Sequence, residues 1–444
     1  MIKKKDPSEE NGNHYKAYRN KLNTLLRRKE REYFHNLLLE NSNNIKNSWK
    51  IIKMVINKKN SSSYPNEFLI NNIKIKDKSV VANKFNDYFS GVAQNLAKNI
   101  PQTSSSPLKS MPDRNLNSIY LKPIMPDEVE KIIKSLKSSS PGYDYVSTDV
   151  IKATYTSYLV PLTFVLSKSF EIGIFPEELK IAKVIPLFKS GNNMMITNYR
   201  PISVLPIFSK ILEKLMFSRL ICFINKNKIL YNFQFGFRKN HSTTMALITL
   251  VDKISSALDD GSYSLGVFLD FSKAFDTVDH HILLNKLEYY GVRGLALDWF
   301  TSYLSNRQQF ISLDGHNSKY NSVSCGVPQG SILGPLLFLL YINDLPNVSK
   351  QLFSTLFADD TNMFITGKNI DDIFITMNNE MKNVVDWLNA NKLSLNVSKS
   401  HYMLFTRNKN LTTKNIVMIN DTPVEKVLCT KFLGVMIDSA LGWK

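Results

Sequence analysis

The stretch Phe357-Ala358-Asp359-Asp360 sets two adjacent carboxylates between two mainly apolar runs, residues 354–357 and 361–365. Because successive side chains on a strand point to opposite faces, the pair belongs at the tip of a β-hairpin. A third carboxylate from a neighbouring strand would complete an oxygen-rich site for hard divalent cations. Such a site is typical of two-metal phosphoryl transfer. Most isolated Asp-Asp pairs are solvated turns, so the neighbouring sequence decides.

The candidate third carboxylate is Asp270, in Leu269-Asp270-Phe271-Ser272-Lys273-Ala274-Phe275-Asp276. It ends an apolar run, residues 265–270, that has the length and composition of a buried strand. Asp270, Asp359 and Asp360 could hold two metals together with the backbone carbonyl of Phe271. Packed closely, their charges repel unless cations bind. The alternative interpretation is three unrelated surface aspartates.

The charge of the chain favours a polyanionic partner. It has 444 residues, with 56 Lys+Arg against 38 Asp+Glu and a net charge of +18. Residues 1–60 carry 15 basic and 6 acidic side chains, so half of the excess is there. Solubility alone is the alternative explanation of this charge. A membrane surface is disfavoured because no clean basic amphipathic helix is apparent.

The sequence predicts an intracellular protein, nuclear or cytoplasmic, without a membrane span. No apolar stretch follows the basic start, so no secretory signal is visible. The most apolar run, residues 332–342, is too short to cross a bilayer. Three scattered cysteines, Cys222, Cys325 and Cys429, exclude a disulfide framework. We expect them to pack in the core.

We divide the chain into a basic helical arm (1–60), a helical and loop linker (61–120), a short preceding segment (121–168) and a main domain (169–444). Within these parts the periodicity of apolar residues predicts the elements. Helices are expected at 14–56 with a break near 41–44, 81–100, from 127 to about 138, 245–258, 282–290, 295–304 and 370–389. Strands are expected at 183–188, 202–205, 265–270, 310–313, 320–325, 401–405 and 416–419. This order predicts an α+β fold, an antiparallel sheet with helices on one face.

Several motifs stand in an order that resembles reverse transcriptases. They are the Asp270 segment, Gly326-Val327-Pro328-Gln329-Gly330-Ser331, the paired aspartates, and Phe432-Leu433-Gly434-Val435. Asn198-Tyr199-Arg200-Pro201-Ile202-Ser203 and Phe235-Gly236-Phe237-Arg238 narrow the resemblance to non-LTR (LINE-type), jockey-like retrotransposon enzymes. The resemblance is strong over residues 120–444 and looser over 14–100. It implies the fingers and palm of a right-hand polymerase.

The resemblance implies a metal site and a nucleotide site. Asp270, Asp359 and Asp360 would bind two Mg²⁺ ions, with Mn²⁺ as a substitute. Lys189 and Arg200 would contact the triphosphate; the guanidinium fork of Arg200 matches phosphate oxygens.

Three further roles follow from the resemblance, each with an ordinary alternative. Phe275 would exclude a 2′-hydroxyl at the sugar, or it is a core residue. Gln329 and Gly330 would pack against the incoming nucleotide, or their segment is merely a turn. Lys399 would protonate the departing pyrophosphate, or it is a solvated lysine.

The expected function is RNA-directed DNA polymerisation, with an RNA template, a DNA primer and deoxynucleotides as partners. The alternatives are a catalytically silent nucleic-acid-binding remnant and a maturase-like or telomerase-like relative. Pro141-Gly142-Tyr143-Asp144-Tyr145 departs from the family's usual Pro-Gly-Pro-Asp-Gly. We also expect a chain truncated at both ends, with no endonuclease and an absent or incomplete thumb. The sequence indicates no oligomeric state.

Overall fold

The computed structural model describes residues 9–56, 64–408, 411 and 413–442. The chain divides into two compact units, Met1–Asn66 and Glu67–Lys444. The boundaries proposed from sequence at residues 60, 120 and 168 stay predictions.

Twelve α-helices lie in the described ranges. They are α1 (Glu9–Glu40), α2 (Ile45–Val55), α3 (Lys78–Lys98), α4 (Pro126–Ser135), α5 (Thr148–Thr154), α6 (Leu159–Glu171), α7 (Ile207–Lys226), α8 (Thr243–Asp259), α9 (His280–Tyr290), α10 (Leu295–Leu304), α11 (Gly334–Ile342) and α12 (Ile370–Ala390). None of them is both long enough and apolar enough to cross a membrane.

The strands form two main sheets and several short hairpins. They are β1 (Phe68–Ile70), β2 (Ile73–Ile75), β3 (Ile181–Phe188), β4 (Tyr199–Val204), β5 (Tyr263–Leu269), β6 (Arg307–Leu313), β7 (His316–Asn317), β8 (Asn321–Val323), β9 (Phe353–Phe357), β10 (Asp360–Gly367), β11 (His401–Phe405), β12 (Met418–Ile419), β13 (Thr422–Pro423), β14 (Glu425–Lys426), β15 (Cys429–Phe432) and β16 (Val435–Asp438). The α+β class predicted from the sequence is confirmed.

The first unit is a pair of helices, α1 and α2, joined by a turn at residues 41–44. Asn44 caps α2 through the backbone amide of Asn47, and the side chain of Asn47 reaches back to Asn41. The break predicted near residues 41–44 is therefore confirmed. The apolar stripe of α1 is exposed in its first part, with Leu22 at 55%, and half-buried at Phe34, Leu37 and Leu38.

The central sheet has the strand order β14-β11-β5-β10-β9. Its four long strands are antiparallel, and the short β14 joins β11 in parallel. In the β5–β10 pair, Leu269 lies opposite Thr361. The carboxylates of interest therefore lie beyond the last pair at one end of the two central strands.

Both faces of this sheet are covered, so the predicted placement of helices on one face was wrong. On one face Leu265, Val267 and Met363 join the main core with α12. On the other, Phe268 and Phe364 form a second core with α8 and the β15–β16 hairpin. Strand β5 explains why both faces are covered, because six of its seven residues are buried. A strand buried on both faces reads as a continuous apolar run.

A second, mixed sheet has the order β4-β3-β6-β7, with β8 also pairing with β6. Helix α3 packs on β6, where the side chain of Asn86 donates to the backbone carbonyl of Gln309 and accepts from the side chain of Gln309. Strand β4 is at the edge of the sheet. It begins three residues earlier than predicted, because Pro201 is tolerated where no further strand needs its missing N–H.

The other predicted elements are present, with ends shifted by a few residues. Helices α3, α8, α9, α10 and α12 and strands β3, β5, β6 and β11 match their predicted ranges. Strand β12 is shorter than the predicted 416–419. The cysteine prediction was wrong for two residues, because Cys222 and Cys429 are exposed, while Cys325 is half-buried.

Candidate active site

Asp270 follows the last residue of β5, and both its backbone amide and its backbone carbonyl are hydrogen-bonded. Its amide donates to Oγ of Ser400 at 3.2 Å, and its carbonyl accepts from the amide of Asn396 at 2.8 Å. These contacts tie the end of β5 to the segment before β11. The half-buried side chain of Asp270 is therefore carried on a rigid strand end.

Asp359 and Asp360 lie at the turn between β9 and β10. Asp360 pairs with Phe357, and Ala358 adopts a left-handed conformation with φ of 57°. The predicted hairpin is confirmed. Continuing the β5–β10 register by one residue places Asp360 opposite Asp270, so the structure brings the two predicted carboxylate segments to neighbouring strand ends.

The three carboxylates share a strained electrostatic environment. Burial raises the pKa of Asp359, and the charge of Asp270 raises it further, while Arg200 and Lys189 counteract this. The pKa of Asp360 is raised to about 6, first by desolvation and then by the charges of Asp359 and Asp270. Within the cluster itself, the charges of the carboxylates disfavour one another's ionised forms. Such a site favours bound cations or protons.

The donor set fits hard divalent cations. Carboxylate oxygens are the ligands Mg²⁺ prefers, and the carbonyl of Phe271 is a further candidate. The bridge between Phe271 and Leu395 uses the peptide groups of Asp270 and Ser272, so it leaves that carbonyl available. Within the described residues, no three His, Cys, Asp or Glu side chains converge into a preformed metal cluster. Repelling carboxylates need the cation itself to draw them together.

Basic side chains face the carboxylates from the second sheet. Lys189 follows β3, and its amide donates to the carbonyl of Asn198 at 2.9 Å. Arg200 lies opposite Leu187 on β4. Both side chains are exposed, and both act on the pKa of Asp359. The two predicted triphosphate contacts therefore lie on one hairpin, close to the carboxylates.

Lys273 joins this basic group, and the sequence analysis did not assign it a role. Burial lowers the pKa of its amino group; nearby Asp276 opposes this, and the positive charges of Lys189, Arg200 and Lys399 lower it further. Its Nζ lies 3.4 Å from the carbonyl of Tyr199. Four cations so close together attract a polyanion. The signal was its position three residues after Asp270.

Phe275 is half-buried between two aromatic rings. It stacks on Phe338 with ring centroids 4.3 Å apart and meets Phe237 edge-on at 6.0 Å. Its ring therefore has a packing role on one side. The role at the sugar of a nucleotide stays a prediction.

Gln329 and Gly330 contact other segments of the same chain. The carbonyl of Gln329 accepts from the amide of Ser203 at 2.7 Å, and its side chain donates to Asp276 at 2.8 Å. Gly330 has φ of 120°, and a Cβ there would lie 2.4 Å from the carbonyl oxygen of Ser203. In this structure the glycine is required by close approach to β4. The predicted contact with a nucleotide stays a prediction.

Asp276 is a second residue that the sequence analysis left without a role. Its Oδ2 is buried and has no hydrogen-bond partner among the described residues. Burial raises its pKa to about 6, although Gln329, Lys273 and Arg200 act in the opposite direction. It lines a cavity of about 50 Å³, together with Gln329 and Arg307. The available signal was a carboxylate directly after Phe275 and six residues after Asp270.

Lys399 and His280 also lie near the site, and the proton-donor role of Lys399 stays a prediction. Lys399 is exposed on the loop before β11. His280 opens α9 and bonds the carbonyl of Gly326 at 2.8 Å, a structural role.

The amino-acid sequence of this chain is similar to those of known proteins. Residues 188–437 match the family model described as "Reverse transcriptase (RNA-dependent DNA polymerase)". The probable RNA-directed DNA polymerase from transposon X-element of Drosophila melanogaster is 30% identical over 72% of this chain. The enzyme from mobile element jockey of the same organism is 28% identical over 73%. The chain spans 36% of the length of each of these two relatives.

Proposed function

Because this chain belongs to the reverse transcriptase (RNA-dependent DNA polymerase) family, we propose that it adds deoxynucleotides to the 3′-end of a DNA primer on an RNA template. The observation that carries the proposal is the meeting of Asp270 with Asp359 and Asp360 at neighbouring strand ends, opposite Lys189 and Arg200. The relatives named as transposon RNA-directed DNA polymerases support the same activity.

In this proposal the central sheet is the palm and the sheet of β3, β4 and β6 belongs to the fingers, both within residues 169–444. Two Mg²⁺ ions, or Mn²⁺ in their place, would be held by Asp270, Asp359 and Asp360, with the carbonyl of Phe271. Bound there, the ions would supply charge stabilisation for the attacking and leaving oxygens.

The remaining side chains bind and orient the nucleotide. Lys189, Arg200 and Lys273 receive the triphosphate, since cationic side chains stabilise phosphate oxygens. Phe275 limits the space at the sugar, and Lys399 delivers a proton to the pyrophosphate. Catalysis then comes from positioning and from charge stabilisation rather than from a covalent intermediate.

Gln329 and Gly330 form one side of the nucleotide pocket. Their backbone is fixed to β4 through Ser203, and the Gln329 amide is fixed to Asp276. This arrangement couples the fingers to the loop that follows Asp270.

The test is extension of a DNA primer by one nucleotide on an RNA template in Mg²⁺. Wild type should incorporate, and Asp359→Asn should not, because the substitution removes a metal ligand. Asp252→Asn, on the exposed face of α8, is the control that should retain incorporation. Salt-sensitive binding of the duplex by wild type without incorporation would instead indicate a silent nucleic-acid-binding remnant.

A further inference from the structure

Residues 231–238 run beside β9 and extend the central sheet at the end that carries the paired aspartates. The amide of Phe235 donates to the carbonyl of Leu356 at 2.8 Å, and the amide of Leu356 donates to the carbonyl of Phe233 at 3.0 Å. Gln234 and Leu356 form a parallel bridge. This segment is therefore fixed to the residue that immediately precedes the Phe357–Asp360 turn.

The side chain of Gln234 reaches into the turn itself. It is 2% exposed, and its Oε1 accepts from the amides of Gly236 at 2.9 Å and Ala358 at 3.0 Å. Ala358 is a buried non-glycine residue at φ 57°. Such a conformation is unfavourable for a residue with a Cβ and persists only where the surroundings enforce it. Gln234 satisfies the amide that this conformation buries.

The backbone of residues 231–238 is in close contact with the backbone of the Phe357–Asp360 turn. A Cβ at Gly236 would lie 2.2 Å from the Ala358 nitrogen and 2.9 Å from the Phe357 carbonyl carbon. Arg238 donates from Nη1 to the carbonyls of Tyr231 and Gln234 at 2.9 and 3.0 Å, which closes the segment into a compact loop. A shift of this loop would therefore displace the turn that carries Asp359 and Asp360.

We propose that Gln234 is a positioning residue that sets the geometry of Asp359 and Asp360 through the Ala358 amide. The inference rests on the proposed function for its catalytic consequence, while its structural consequence can be measured without catalysis. Mg²⁺ demands near-ideal ligand geometry, so a shifted turn weakens metal binding before it affects binding of nucleic acid.

The first experiment measures the Mg²⁺ dependence of primer extension by Gln234→Met, a substitution of similar shape that removes the acceptor. The Mg²⁺ concentration for half-maximal rate should rise roughly 10- to 100-fold, as for other groups that orient metal ligands. The KM for primer–template should stay unchanged. Gln309→Met is the matched control, because Gln309 is also buried and hydrogen-bonded but lies on β6.

The second experiment measures hydrogen exchange of residues 354–362 in EDTA. Exchange at the turn should be faster in Gln234→Met than in wild type or Gln309→Met, since the Ala358 amide has lost its acceptor. Gly236→Ala should also speed exchange by displacing the turn, while Gly91→Ala on α3 should not, because its Cβ meets nothing closer than 3.8 Å.

The outcomes separate this inference from the proposed function. A folded Gln234→Met protein with wild-type Mg²⁺ dependence and wild-type exchange at the turn would overturn it. If wild type incorporates no nucleotide, the proposed function fails, and hydrogen exchange alone decides the role of Gln234. If Gln234→Met does not fold, Gly236→Ala decides by the same two readouts.

Discussion

The side-chain amide of Gln329 donates a hydrogen bond of 2.8 Å to Oδ1 of Asp276. This contact joins the loop after Asp270 to the Gln329-Gly330 segment, so two motifs far apart in sequence become one wall of the candidate nucleotide pocket. Asp276 is otherwise poorly compensated, since its Oδ2 is buried without a partner among the described residues. The charge of Asp276 is therefore unfavourable for folding, while its hydrogen bond fixes Gln329 in the wall of the candidate nucleotide pocket.

Replacing Asp276 by Asn should stabilise the fold at neutral pH. Asn keeps the acceptor for Gln329 and removes the buried charge. Burial raises the pKa of Asp276 from 3.8 to about 6, so the cost of ionisation is absent below pH 3.8 and fully present above pH 6. The gain in the free energy of unfolding at pH 8 should reach up to about 3 kcal/mol. Urea denaturation at pH 8 and pH 4 measures it.

The pH dependence is what distinguishes this cause from a general packing effect. The stability difference between Asp276→Asn and wild type should shrink as the pH falls from 8 to 4. An equal difference at both pH values would show that the charge of Asp276 is not responsible. Asp252→Asn, at an exposed position, should leave stability unchanged at either pH.

Phe275→Val should relax discrimination against ribonucleotides. A smaller side chain opens space at the sugar, so the ratio of kcat/KM for a ribonucleotide to that for the matching deoxynucleotide should rise on the order of 10- to 100-fold. Phe338→Leu disturbs the same ring pair from the far side and controls for lost packing. If both variants changed sugar selection equally, Phe275 would act through packing alone.

The α+β fold and the position of the three aspartates at strand ends could be predicted because local sequence determines them. Asp359 and Asp360 interrupt two strand-like runs, and Asp270 ends a third, so pairing of the strands brings them together. The placement of α8 on the second face of the sheet was missed. The run 265–270 is apolar on both faces, and the sequence alone does not say which partner covers each face.

Other features depend on contacts between distant segments. Lys273 and Asp276 lie in a loop whose path is fixed by Tyr199 and Gln329. Gln234 precedes a motif recognised from the family, but nothing local indicates that its side chain reaches Ala358. Such contacts are set by tertiary packing, which neither periodicity nor spacing encodes.

Lys273→Met should weaken nucleotide binding and stabilise the free protein. Burial and three neighbouring positive charges lower the pKa of Lys273, so its charged form destabilises the fold at every pH below that lowered pKa. Removing the charge should therefore raise Tm at pH 7. The KM for the deoxynucleotide should rise roughly tenfold or more, as expected for a lost hydrogen bond to a charged group.

Lys273→Arg tests whether the positive charge itself is required. It keeps the charge, so its KM should stay nearer to that of wild type than the KM of Lys273→Met. A Lys273→Met protein with both a lower Tm and an unchanged KM would show that the residue is structural.

Lys399→Leu should separate proton delivery from nucleotide binding. Lys399 is exposed beside the site, and its proposed task is to protonate the departing pyrophosphate, a step that typically contributes at least about 100-fold to a rate. We expect the single-turnover rate of incorporation to fall by about that factor while the Kd of the deoxynucleotide stays unchanged. Lys226→Leu, at the exposed end of α7, should change neither quantity. A rise in Kd without a loss of rate would assign Lys399 to the triphosphate site with Lys273, and the proton would then have to come from another donor.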